Sequence, residues 1–195
     1  SEHEAGGLTP FEVRGGGHCL AGGIAYFDAI EEISNGSSDS KPAWIVHASG
    51  TGSTQAGLVA GVANLDWETH VIGISVSRPK PRGTQAVEEI CDLLSAHFDL
   101  GCLHQRVDFR DDWTCGGYEQ VNGDILSAIK FAAETEGLVL DPTYTGKAFQ
   151  GTLSLIQTGE IPAGAEVLFW HTGGLMNLQS YDFPVDALQP SSGTA

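Results

Sequence analysis

The chain has 195 residues, 41% hydrophobic and 17% charged, with 26 Gly and 8 Pro, the balance of a compact globular protein with a real core. Nine Lys and Arg against 25 Asp and Glu leave a formal charge of −16, which repels nucleic-acid phosphates and anionic membranes and sets both aside as partners. No apolar run approaches the roughly 20 residues that span a bilayer.

Residues 1–4 (SEHE) carry neither the basic nor the apolar part of a signal peptide. The expectation is a cytoplasmic protein. A start without Met reads as a processed product, a subunit or a piece of a longer chain. Cys19, Cys91, Cys102 and Cys115 form no CxxC pair and read as free thiols, behaving as small buried hydrophobes. None of the seven His stands in an HxxxH or HExxH spacing, so no metal is expected.

In chain order, residues 11–14 (FEVR) read as a strand, 15–17 (GGG) as a turn, and the next segment as a helix with Ile24, Phe27, Ile30 and Ile33 on one face. Residues 35–40 (NGSSDS) form a polar loop. Residues 44–48 (WIVHA) have the continuous apolar character of a strand buried on both faces. They run into 49–54 (SGTGST) and then a small-residue helix from Gln55 to about Asn64. Residues 70–76 (HVIGISV) are the next strand. Pro79 and Pro81 are placed in a connection, and a helix starts at Thr84 or Gln85 with Val87, Ile90, Leu94 and Phe98 on its apolar face.

Residues 103–117 are less regular. A helix follows through Ile125, Leu126, Ile129 and Ala133, then 138–140 (LVL) and a turn at Asp141-Pro142. A helix near 147–158 and a strand over 166–170 (EVLFW) complete the pattern. Residues 1–184 are expected to form one α/β region and 185–195 a flexible tail. Strands alternating with helices predict a three-layer αβα fold on an open, mostly parallel sheet.

The most informative segment is 49–54. A glycine turn between a buried strand and a helix N-terminus presents backbone N–H groups at the positive end of a helix dipole, which makes an anion cup. The hydroxyls of Thr51, Ser53 and Thr54 add donors without charge. No Lys stands where a Walker loop requires one, and GxGxxG spacing is absent, so a single phosphate monoester fits better than a nucleoside triphosphate or NAD. Residues 141–147 (DPTYTGK) and 171–174 (HTGG) fall in the crevice beyond the strand C-termini.

Taken together, 15–17 with the AGGIAY helix, 51–57 (TGSTQAG), 135–137 (TEG), 141–147 and 171–174 resemble one family. These are the fold-type-II pyridoxal-phosphate enzymes comprising D-cysteine desulfhydrase and 1-aminocyclopropane-1-carboxylate (ACC) deaminase, a tryptophan-synthase-β-like fold. The resemblance runs from about Pro10 to Tyr181 and covers about the last three fifths of a family member. It implies pyridoxal 5'-phosphate as cofactor, with Gly50, Thr51, Gly52, Ser53 and Thr54 on its phosphate. It also implies Tyr118 and Tyr144 flanking a small amino-acid substrate and handling protons, and Thr172, with Thr145, near the pyridine nitrogen.

Deaminases of the family resemble this chain less at two positions, with Glu in place of Thr145 and a non-hydroxyl residue in place of Thr172. Hydroxyls at both places resemble the desulfhydrase branch. There, loss of a good leaving group from Cβ needs only modest stabilisation of a carbanion. The implied reaction is β-elimination from D-cysteine to pyruvate, ammonia and sulfide. L-cysteate sulfo-lyase and ACC deaminase activities are alternatives, as is a non-catalytic phosphate-binding fragment.

The resemblance also implies that the Schiff-base lysine, its neighbouring Asn and the substrate-loop Ser lie in an N-terminal part outside this chain. Either a second polypeptide in an oligomer supplies them, which is the expectation, or the chain is a fragment. Of Lys41, Lys80, Lys130 and Lys147, Lys147 is closest to a motif. Nothing around it in sequence argues for the burial or cationic neighbour that would make it a nucleophile.

Overall fold

A computed structural model describes residues 13–36 and 41–182. Helix α1 (Leu20–Gly36) leads into β1 (Trp44–Ser49), α2 (Ser53–Asn64), β2 (His70–Ser75), α3 (Lys80–Phe98), β3 (Asp108–Arg110), α4 (Gly123–Glu136), α5 (Thr145–Gln157), β4 (Val167–Trp170) and α6 (Leu175–Ser180). The four strands form one parallel sheet in the order β3-β2-β1-β4. This is the expected α/β class.

The period of two along each strand divides the core between the two faces. Ile45, Val71, Phe109, Leu168 and Trp170 pack with α1, α2 and α3. Val46, Ala48, Ile72, Ile74 and Phe169 pack with Ala148 and Leu155 of α5. Both faces of β1 and β2 are covered, which is why these strands read as unbroken apolar runs. A third cluster, Ile125, Ile129, Ala132 and Leu140, seats α4 outside α5, completing the three layers.

Helix α2 is buried nearly all round. It lies tight against α1 because a Cβ on Gly57 would stand 2.3 Å from the Gly23 carbonyl oxygen. Such contact between helix backbones is open only to glycine.

Several sequence expectations are corrected. Of the strand expected at 11–14, Val13 and Arg14 are irregular and the rest lies outside the described residues. Asn35 and Gly36 belong to α1 rather than to the loop after it. Helix α3 starts at Lys80, with Pro79 as its N-cap residue and Pro81 in its first turn, where a missing N–H leaves no intrahelical bond unmade. The irregular 103–117 stretch contains β3, a three-residue edge strand whose flanking Asp108 and Arg110 mask its one apolar residue. Helix α6 has no counterpart in the sequence reading. Only Cys91 is fully buried; Cys102 is exposed, and all four thiols are free. The tail expected at 185–195 lies outside the described residues.

Candidate functional site

All four strands run the same way, so the loops after their C-termini gather on one side. There a cleft of about 630 Å³ is lined by Gly50, Thr51, Gly52 and Thr54 after β1, Val76, Ser77 and Arg78 after β2, Tyr118 and Tyr144, and Thr172, Gly173, Gly174 and Asn177 after β4. The segments singled out in the sequence converge here.

The cup is built by backbone. Gly52 precedes α2 with φ 104°, a left-handed conformation that an L side chain resists. A Cβ there would also meet the Ala86 carbonyl oxygen at 2.8 Å. The first-turn N–H groups of α2 have no intrahelical acceptor and stand at the helix dipole's positive end.

The three hydroxyls do not act alike. Ser53 is buried and donates to the Gly17 carbonyl at 2.9 Å, and Thr51 donates to the Gly16 carbonyl at 3.2 Å. These two tie the cup to the 15–17 turn, and Ser53 does not line the cleft. Thr54 does. Of the three hydroxyls expected to offer donors, those of Thr51 and Ser53 donate to carbonyls across the loop, while Thr51 and Thr54 line the cleft.

The second wall hangs on Asp141, 1% exposed. Its carboxylate accepts from the N–H groups of Thr143 (2.9 Å), Tyr144 (2.8 Å) and Thr145 (2.8 Å) and from the Thr145 hydroxyl (2.8 Å). This caps α5 and fixes the position of Tyr144. Thr145 is fully buried, and its hydroxyl also accepts from the Asp141 N–H. It is absent from the cleft lining, in contrast to its expected place near the pyridine nitrogen.

Thr172 does line the cleft. Its loop is held by His171, whose Nε2 meets the Val139 carbonyl oxygen at 2.9 Å while Nδ1 accepts from the Gly173 N–H. A Cβ on Gly174 would come within 2.2 Å of Asp141 Oδ1, so this loop rests directly on the Asp141 cap.

Tyr118 and Tyr144 meet edge to face with ring centroids 5.7 Å apart, and their hydroxyls hydrogen-bond. Burial and that hydrogen bond push the Tyr144 phenol well above the ordinary tyrosine range. Tyr144 thus keeps its proton at physiological pH and shares a hydrogen bond with Tyr118 at the cleft wall.

Sequence reasoning missed Ser77, Arg78 and Asn177 in the lining, since they belong to no motif and are gathered only by the topology. It also misjudged Lys147, which is fully buried. Its Nζ donates to the carbonyls of Val76 (2.8 Å), Thr114 (3.0 Å) and Gly117 (2.7 Å). Burial lowers its pKa, against the opposing pull of Cys115 and Asp141. The only signal for this in sequence was the apolar face of α5, with Ala148, Gly151 and Leu155 as neighbours. Among the described residues no group of His, Cys, Asp and Glu could hold a metal ion, and no helix is long and apolar enough to cross a membrane.

An anion cup at a strand-to-helix turn, facing a tyrosine pair across the mouth of a parallel sheet, defines a class. The chain belongs to the pyridoxal-phosphate-dependent enzymes, whose family profile matches residues 15–173. Within that class it falls in the ACC deaminase and D-cysteine desulfhydrase family, with the fold-type-II architecture. It is 36% identical over 184 residues to the ACC deaminase of Ralstonia pickettii and 32% identical over 179 residues to the D-cysteine desulfhydrase of Klebsiella pneumoniae subsp. pneumoniae. In each case 91% of this chain aligns with 54% of the relative. A solved ACC deaminase homologue superposes with a TM-score of 0.79 at 32% identity, covering 89% of this chain and 52% of that one. The chain therefore spans about half the length of the relatives it matches.

Proposed function

We propose that this chain is the cofactor-cradling part of a pyridoxal-phosphate-dependent lyase. It would perform β-elimination on a small sulfur-containing amino acid, D-cysteine by preference, releasing sulfide, pyruvate and ammonia. The observation that carries the reading is the single cleft in which the cup, the tyrosine pair and Thr172 face one another.

The residues present fit pyridoxal 5'-phosphate. The cup offers neutral donors to a phosphate monoester, from the first-turn N–H groups of α2 and the Thr54 hydroxyl, with Gly50 and Gly52 letting the anion approach the backbone. Thr172 offers a hydroxyl to the ring nitrogen. When bound, the cofactor supplies an electron sink conjugated with the substrate amino group. A hydroxyl beside its nitrogen, in place of a carboxylate, favours loss of a good leaving group over cleavage of an unactivated ring. Tyr118 and Tyr144 hold a proton near the substrate. The raised pKa of Tyr144 keeps its hydroxyl protonated, so it would offer a hydrogen bond to the substrate, with Tyr118 as its partner at the more exposed cleft mouth.

The Schiff-base lysine comes from another polypeptide in the same oligomer, which shares the site from the cleft's open side. In support, none of this chain's four lysines lines the cleft, and the three N–H bonds of the Lys147 ammonium are all taken by carbonyls. The same reading places the protein in the cytoplasm, where its four free thiols persist.

Borohydride reduction of the native preparation, followed by intact masses of every polypeptide, tests the proposal. A cofactor-sized adduct on a second chain is expected. An adduct on this chain would overturn the shared-site reading, and none anywhere would leave a phosphate-binding fragment without catalysis. Sulfide release from D-cysteine, against sulfite from L-cysteate, then fixes the leaving group.

A further inference from the structure

We propose that Lys147 is a positioning residue: its ammonium locks the 114–118 loop to the C-terminal end of β2 and so holds Tyr118 against Tyr144. The use made of the tyrosines rests on the function proposed above; the lock itself rests on geometry alone.

Three features support it. First, the three carbonyls that receive the ammonium's three N–H bonds are not scattered. Val76 lines the cleft just past β2, while Thr114 and Gly117 bracket the turn that ends at Tyr118. One side chain therefore joins β2, the Tyr118 loop and α5, which begins one residue after Tyr144.

Second, apart from the packing of Cys115 against the Ile125, Ile129, Ala132 and Leu140 cluster, the loop's other fastenings among the described residues are local. Cys115 and Gly116 take positive φ values of 55° and 89°, and the loop's own bonds are short-range: Gly117 N–H to Thr114 O, and the Thr114 N–H and hydroxyl to Asp111 O. Tyr118 is 45% exposed, and its ring packs edge to face on Tyr144, which leaves its placement dependent on the loop that carries it. Third, among the described residues no carboxylate forms an ion pair with Lys147; Asp141 acts on it only at longer range. A buried cation held solely by carbonyls is costly in a core, and a neutral side chain of similar length would fill the space without that cost. What the ammonium alone provides is three convergent donors. The planar fork of Arg cannot reproduce that geometry.

The chain carries its own reporters. Cys115 sits inside the loop, Cys91 is buried in the core, and Cys102 is exposed. In Lys147→Met, thiol labelling mapped by peptide mass should show Cys115 reacting about tenfold faster or more, since the three charge-assisted bonds that hold the loop are lost. Cys91 should remain slow and Cys102 unchanged. An unchanged Cys115 would overturn the proposal, as would Cys115 and Cys91 rising together, which marks general loosening.

A second variant does not depend on Lys147. In Tyr118→Phe, Cys115 should label at the wild-type rate, because the lysine rather than the tyrosine pair holds the loop. Acceleration there would overturn the assignment. Both measurements are made without added cofactor or substrate, so failure of the lyase reading leaves their outcome intact.

Discussion

The two walls of the cleft are built by opposite means. The 49–54 wall is backbone: a left-handed glycine, a helix N-terminus and two hydroxyls that tie the turn to its neighbour. The 141–147 wall depends on two buried ionisable side chains, Asp141 gathering N–H groups and Lys147 gathering carbonyls. The first presents neutral donors suited to an anion from its backbone, with little demand on its outward side chains. The second places hydroxyl groups through its two buried anchors. A fixed ligand end and a finely placed proton donor call for these two kinds of construction.

The comparison breaks most visibly at Asp141. Asp141→Ala strands three N–H groups and should cost about 3–4 kcal/mol in denaturant unfolding, while Asp141→Asn, which keeps an acceptor, should cost roughly half of that. Gly52→Ala is next, at about 2–3 kcal/mol, because its φ of 104° and the Ala86 carbonyl both oppose a Cβ; it should also abolish cofactor retention on dialysis.

The strand beneath the cup gives a pH test. His47 is fully buried, and desolvation lowers its pKa to about 4, against a raising contribution from its bond to Ala48 O. Its Nε2 has no partner among the described residues. The unfolded imidazole takes a proton below about 6.5 and the folded one does not. Stability is therefore full above the unfolded value and falls as the pH drops from about 6.5 towards 4, by on the order of 3 kcal/mol. His47→Phe should flatten that part of the profile, as followed by urea midpoints.

Smallest in stability are the two outward hydroxyls. Thr54→Ala should leave unfolding within about 0.5 kcal/mol of wild type yet weaken cofactor retention about 3- to 10-fold, the worth of one hydrogen bond. Thr172→Glu should shift the pH dependence of the bound cofactor's absorption spectrum, and an unaltered titration would remove Thr172 from the ring nitrogen.

The backbone-built wall was the more legible one. A continuous apolar run, a glycine turn and a small-residue helix are local patterns, and β1, the cup and α2 emerged within two residues of their limits. The side-chain wall was legible as a motif but not as a structure. In sequence Asp141 is a turn residue and Lys147 ends a motif with nothing beside it that argues for burial; both are buried only in the folded chain, Lys147 where α5 meets the end of β2 and the 114–117 segment. Strand β3 escaped because three residues with charged flanks carry no period. Arg78, Ser77 and Asn177 reach the cleft through topology, which no spacing along the chain encodes. Thr145 shows the converse: its position in the motif placed it at the site, and its two bonds to Asp141 turn it inward.

The most direct test of the account is amide chemical-shift mapping of this chain with pyridoxal 5'-phosphate and, separately, with pyridoxal, which lacks the phosphate. The cup reading predicts that pyridoxal 5'-phosphate shifts the amides of Gly50, Gly52, Ser53 and Thr54 together with Thr172, and that pyridoxal leaves the first four in place. Shifts confined to other residues, or equal shifts of the cup with both compounds, would contradict it.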